Sequence, residues 1–172
     1  MSPRIQQYTV PWPYTFFQLY LEPVFALSGA VLALSSPRSF LCSISTVTSS
    51  LRLFPSSSCT STSPAPEAFL LANLAACYGF FSLVGLVLLR RHPPTSEPAL
   101  QLWKEVLAMQ LVSDLGHLAA LAMLGDAGAG AGGEWWAWGR WEKEGWTNVG
   151  ILCLDVVVRC AFLAGWGIKE VR

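Results

Sequence analysis

One stretch decides the fold: AFLLANLAACYGFFSLVGLVLL, residues 68–89, which carries no charged side chain. At ~1.5 Å of rise per residue, a helix of this length covers the ~30 Å hydrocarbon core of a bilayer. The run stops at RRHPP, residues 90–94, where two arginines and two prolines end both the apolar character and the helix. We therefore interpret this stretch as a transmembrane helix.

Three further apolar runs have a similar length, at residues 14–34, 104–124 and 148–168. The composition agrees with this count, because 53% of the residues are hydrophobic, 13% are charged and the mean hydropathy is +0.45. A cleaved signal peptide is the alternative for the first run, but Glu22 and Pro23 interrupt its centre. The sequence thus predicts an all-α integral membrane four-helix bundle, with residues 1–172 forming a single domain.

The charge balance and the motifs exclude several classes of protein. The formal net charge is zero, so there is no excess of Lys and Arg to neutralise nucleic-acid phosphates. No GxSxG, HExxH or P-loop motif is present, and the five cysteines have no metal-type spacing. We predict no nucleic-acid partner, no cofactor and no metal, and we expect membrane lipids to be the surroundings.

Two segments between the apolar runs have unusual compositions. Residues 35–66 are rich in Ser and Thr and predict a disordered loop. An O-glycosylated stalk and an unspliced intron remain as alternatives for this segment. Residues 134–146, EWWAWGRWEKEGW, hold five of the eight tryptophans and favour the headgroup layer. This second segment is either an aromatic belt or a lid over a pocket between the third and fourth spans.

The distribution of Lys and Arg around the spans predicts the orientation. An even number of spans puts both termini on one side. That side holds six basic residues, namely Arg4, Arg90, Arg91, Lys104, Lys169 and Arg172, against the four on the opposite side, Arg38, Arg52, Arg140 and Lys143. The positive-inside rule therefore favours cytosolic termini. We expect the membrane to be the endoplasmic reticulum or another endomembrane.

Ionisable residues inside the spans are the candidate functional residues, because a charge at the bilayer centre is costly and finds a partner in the bundle interior. Helical spacing aligns them into stripes, to which the neighbouring amides belong. The predicted polar network is Glu22, Asn73, Gln110, Asp114, His117, Asn148, Asp155 and Arg159. Counting residues from the tryptophan-rich side puts Arg159 level with Glu22 and Asp114, and His117 level with Asp155.

The chemistry of this network leaves three alternatives open. Three carboxyl groups face one guanidinium and one imidazole, so we expect at least one carboxylic acid to be protonated. The network is structural, or it lines a pocket for a lipophilic ligand, or it performs acid–base chemistry on a sterol or terpenoid. Candidate catalytic residues are His117, Asp114, Asp155 and Glu22. A metal site built from Asp114, His117 and Asp155 matches no recognised motif.

Five strings of the sequence resemble a group of small fungal four-span membrane proteins classed as a domain of unknown function. They are YLEP at 20–23, LLANL at 70–74, DLGHL at 114–118, WTNVG at 146–150 and RCAFL at 159–163. The resemblance covers most of the chain except the Ser/Thr-rich segment, which looks like an insertion. It implies a membrane protein of fungal origin and supplies no mechanism.

Overall fold

A computed structural model of the chain describes residues 6–36, 65–129 and 143–171. Within these residues lie four helices, α1 (Trp12–Ser35), α2 (Ala65–Arg91), α3 (Glu97–Ala129) and α4 (Lys143–Leu163). The predicted all-α class is confirmed. Most of the Ser/Thr-rich segment and most of the tryptophan-rich segment lie outside the described residues.

A short antiparallel strand pair near the termini is absent from the prediction. It joins β1 (Gln7–Thr9) to β2 (Lys169–Val171). Helix α4 ends at Leu163, before the predicted end at residue 168, because the chain turns at Gly165 and Gly167, whose φ angles are 74° and 76°. Glycine adopts this left-handed conformation without a steric penalty. The two glycines therefore direct the chain from α4 into β2.

Helix α1 contains a π-helical turn at Phe17–Leu21, in which the Glu22 N–H donates to the Phe17 carbonyl five residues earlier. Pro23 follows directly, and proline removes the N–H that would bond to a carbonyl four residues earlier. An inserted π turn is one way for a helix to accommodate such a defect. The turn also changes the direction of the side chains that follow it, beginning with Glu22.

The four helices pack mainly as two pairs that follow the order of the chain. Helix α1 packs against α2 to form the first pair, and α3 packs against α4 to form the second pair. Small residues allow the close approach in the first pair, where Ala30 and Ala33 meet Leu71 and Ala75.

The two pairs are joined at the end of the bundle that carries the strand pair. Here a cluster that we call the terminal cluster contains Leu89, Leu100, Trp103, Leu107 and Phe162. Trp103 and Phe162 are fully buried, and the Trp103 indole N–H donates to the His92 carbonyl at 2.7 Å. The terminal cluster thus closes one end of the bundle with side chains from α2, α3 and α4.

The helices expose many large apolar side chains, whereas several polar and charged side chains are buried between them. Windows within Trp12–Ser35 and Phe69–Arg91 have mean hydropathies of 1.5 and 1.9, and only 28% and 22% of each window is buried. Core helices of soluble proteins are mostly buried instead, so these two helices have the length and the surface of membrane spans. Of the described helices, only these two are long and apolar enough to be candidate spans. Helices α3 and α4 nevertheless expose large apolar side chains, namely Met109, Val112, Leu115, Leu154 and Val157.

Candidate functional site

Arg159 is the centre of the buried polar network. Its Nη2 lies 2.6 Å from Glu22 Oε1, and its Nη1 contacts Asp114 Oδ2. The Arg159 side chain is only 3% exposed. A buried guanidinium requires compensating carboxylates, and here one comes from α1 and the other from α3. The structure therefore brings together the three residues that the sequence predicts to lie at one depth.

Gln110 extends this network by donating from Nε2 to Glu22 Oε1 at 2.9 Å. Space for the Gln110 amide exists because residue 85 of α2 is glycine. A β-carbon at this position would lie 3.2 Å from Gln110 Nε2. Glu22 consequently binds both Arg159 and Gln110, and these polar contacts tie the first helix pair to the second.

His117 and Asp155 lie farther from the terminal cluster, one turn beyond Asp114 and Arg159 along their helices. The His117 ring makes an edge contact with Tyr78, with ring centroids 5.7 Å apart and planes at 68°. Within the described part of the chain no hydrogen bond or salt bridge joins His117 to Asp155. The structure therefore shows no direct contact between His117 and Asp155, and their common depth stays a prediction.

A cavity of about 460 Å³ lies next to this network, and all four helices contribute to its wall. The polar side of the wall carries Glu22, Gln110, Asp114, His117, Asp155 and Arg159. Apolar residues make up much of the rest, including Phe25, Leu74, Phe81, Met109, Ile151 and Leu152. Six of the eight predicted network residues thus line one cavity.

A seventh predicted residue, Asn73, does not line this cavity. Asn73 is exposed, and its Nδ2 donates to the Phe69 carbonyl of its own helix at 2.9 Å. Its direction on α2 differs from that of Tyr78 and Ser82, which do line the cavity. Asn148 belongs to α4, but its side chain lies outside the described part.

Sequence reasoning did not single out Tyr78 and Ser82. Both belong to the uncharged second span, and they are four residues apart on one face of α2. Ser82 is buried, so its hydroxyl adds a polar group to the α2 side of the cavity. The four-residue spacing of these two hydroxyl groups could have indicated a polar face on α2. The prediction rests on charged residues inside the spans, and this span has none.

Several polar atoms of the wall lack a hydrogen-bond partner among the described residues. They include the acceptors Glu22 Oε2, Gln110 Oε1 and Asp155 Oδ1 and the donor Arg159 Nε. Buried acceptors without partners are costly and are unusual in folded proteins. The wall therefore offers acceptors to a donor group inside the cavity. Among the same residues, no group of three or more His, Cys, Asp or Glu is arranged to hold a metal ion.

Comparison with known proteins identifies a family and no close relative of known function. The sequence profile of a domain of unknown function, DUF7704, matches residues 7–169. No curated protein and no solved structure matches the chain significantly. The matched residues include all four helices, all of β1 and the first residue of β2. The chain therefore belongs to the DUF7704 family, whose function is unknown.

Proposed function

We propose that this chain is an integral membrane protein with four spans that binds a lipophilic small molecule in its interior. The observation that supports this proposal best is the cavity of about 460 Å³ bounded by all four helices. Small-molecule sites have volumes of roughly 300–1,000 Å³, walls that are mainly apolar and a few polar groups at one side. The cavity has each of these properties.

Exposed apolar side chains on every helix support the membrane location of all four. Helices α3 and α4 carry the buried charges of the network on one face and residues such as Val112 and Val157 on the opposite face. This pattern suits helices that are surrounded by lipid and that hide their polar residues inside. In water, an apolar surface spread over four helices would promote aggregation.

A topology experiment tests the four spans and the orientation together. Both termini are proposed to face the cytosol, with the endoplasmic reticulum or another endomembrane as the location. Glycosylation acceptor sites added at either terminus should therefore remain unmodified, whereas an acceptor inserted between residues 37 and 64 should be modified. Modification at one terminus only would rule out an even number of spans.

Ligand binding is tested by filling the cavity. Ala26 lines the cavity, so Ala26→Phe adds a ring inside it. Ala72 is exposed on α2 and is not part of the cavity wall, which makes Ala72→Phe a matched control. Native mass spectrometry of protein extracted with its lipids should show a retained small molecule on the wild type and the control. The Ala26→Phe variant should have lost it, and equal retention by both variants would contradict the proposal.

An acid–base enzyme that acts on a sterol or terpenoid is the second candidate. One observation favours this candidate: His117 and Asp155 line the same cavity as the apolar side chains. Turnover separates the two candidates, because an enzyme converts the bound molecule and a binding protein releases it unchanged. Mass spectrometry of the extracted molecule before and after incubation should show a product with the wild type and none with His117→Gln if the enzyme hypothesis holds.

A further inference from the structure

The charged groups around the cavity do not balance. Three carboxyl groups line it, from Glu22, Asp114 and Asp155. Arg159 is the single Lys or Arg among the lining residues, and both Glu22 and Asp114 contact it. One guanidinium therefore serves two carboxylates before Asp155 is counted. If all three carboxyl groups are ionised, the cavity has an excess of negative charge, which either a proton or a bound cation would balance.

Among the described residues, Asp155 is the carboxyl group of the cavity without a counter-charge. It is 9% exposed, and its Oδ1 has no hydrogen-bond partner within the described residues. It lies on α4 one turn from Arg159, yet Arg159 Nη1 and Nη2 contact the other two carboxylates. A buried carboxylate without a partner is unfavourable unless a cation or a donor reaches it. The unpaired Asp155 therefore defines the chemistry of the polar side of the cavity.

The rest of the wall defines the body of the ligand. The cavity that Asp155 lines is also lined by the apolar residues Phe25, Leu74, Phe81, Met109 and Leu152. A small hydrated cation would leave these side chains without partners, whereas an alkyl or ring system would cover them. Met and aromatic side chains adapt to such bodies, and aromatic faces also attract an ammonium group.

We propose that the ligand is a lipophilic amine, whose protonated nitrogen bonds the Asp155 carboxylate while its apolar body fills the cavity. This inference rests on the proposed function, because it names the ligand class of the same site. A positive nitrogen neutralises the unpaired carboxylate and supplies the missing donor in one group. A neutral alcohol of the same shape supplies the donor alone.

The test compares two probes of matched length on the full chain in phosphatidylcholine nanodiscs at pH 7. The probes are radiolabelled N,N-dimethyldodecylamine and radiolabelled 1-dodecanol, and empty nanodiscs give the background from partition into lipid. Wild type should bind the amine more tightly than the alcohol. Asp155→Asn preserves the shape of the side chain and should weaken amine binding roughly 10- to 100-fold, as expected for loss of a charged hydrogen bond. Its alcohol binding should hardly change.

Two further variants separate charge at the site from other effects. Glu105→Gln removes an exposed carboxylate from α3 and should leave amine binding unchanged. Asp155→Glu keeps the carboxylate and should retain the preference for the amine, which shows that a loss in Asp155→Asn does not come from misfolding. Amine binding that is equal in wild type and Asp155→Asn would overturn the inference.

The outcomes also distinguish this inference from the proposed function. If both probes bind equally to wild type and both are lost in Ala26→Phe, the cavity binds lipophilic molecules but does not select a cation. The inference then fails while the proposed function stands. If neither probe binds above the lipid background, or Ala26→Phe binds both probes as wild type does, the cavity is not a ligand site and both fail.

Discussion

The two ends of the helix bundle differ in how they are filled. At the end near β1 and β2, the terminal cluster packs large side chains from α2, α3 and α4 without exposing Trp103 or Phe162. Toward the opposite end, the two helix pairs separate around a cavity of about 460 Å³. The Arg159 network lies between these regions and connects the pairs.

The difference shows how a small bundle can combine rigidity with an internal site. Packed side chains at one end fix the relative positions of the helices, so the other end does not need to be filled. Polar side chains of the network are then held in defined positions beside the cavity. Substitutions should therefore be most harmful in the terminal cluster, less harmful in the Arg159 network and mildest in the apolar part of the cavity wall.

The largest effect is expected for Trp103→Ala in the terminal cluster. Truncation of a fully buried tryptophan leaves a large void, and it also removes the donor to the His92 carbonyl. The free energy of unfolding should fall by about 5 kcal/mol, the upper end of the usual range for such changes. Unfolding of the purified protein in mixed detergent micelles measures this loss, and a loss below about 2 kcal/mol would show that the cluster does not hold the bundle together.

Arg159→Leu should have the next largest effect, because it leaves Glu22 and Asp114 without their counter-charge. Removing one partner of a buried ion pair costs ~3–5 kcal/mol. Because a carboxylate can take up a proton instead of staying charged, the free energy of unfolding should fall by about 3 kcal/mol. Adding Glu22→Gln should recover part of this loss in the same unfolding assay. Strict additivity of the two substitutions would mean that the pair is not energetically coupled.

A medium effect is expected for Gly167→Ala at the turn beside the strand pair. Its φ of +76° is unfavourable for a side chain, and a β-carbon would lie 2.9 Å from Pro11 Cγ. The thermal unfolding midpoint should fall, with a loss of about 1–2 kcal/mol. Gly116→Ala is the matched control, because a β-carbon in the middle of α3 meets nothing within 4 Å. A similar loss in both variants would argue against strain at the turn.

The smallest effect, and one of opposite sign, is expected in the cavity wall. Gly29 lines the cavity on α1, and a β-carbon there meets nothing within 4 Å. Since glycine weakens a helix relative to alanine, Gly29→Ala should stabilise the protein by about 0.5–1 kcal/mol. Thermal unfolding checks the sign. A destabilised Gly29→Ala would mean that this part of the bundle is packed as tightly as the terminal cluster.

Much of the candidate site follows from helical periodicity alone. Spacing of three and four residues aligns Gln110, Asp114 and His117 on α3, and depth counting puts Arg159 beside Glu22 and Asp114. This worked because an interior charge in an apolar helix has few possible partners. Periodicity could not exclude Asn73, since an amide is small enough to bond its own helix instead of reaching the interior.

The sequence by itself determined the helical class, the approximate positions of the four helices and the position of each ionisable residue along its helix, because these depend on local hydropathy and on the fixed rise of a helix. Only the tertiary structure decided that the helices form two pairs with a cavity between them. It also decided that both Glu22 and Asp114 contact Arg159, while Asp155 Oδ1 has no hydrogen-bond partner among the residues that the structure describes. These features depend on the rotation of each helix about its axis and on the packing of distant side chains. In α1 that rotation is altered by the π turn before Pro23, which a regular helical period does not describe.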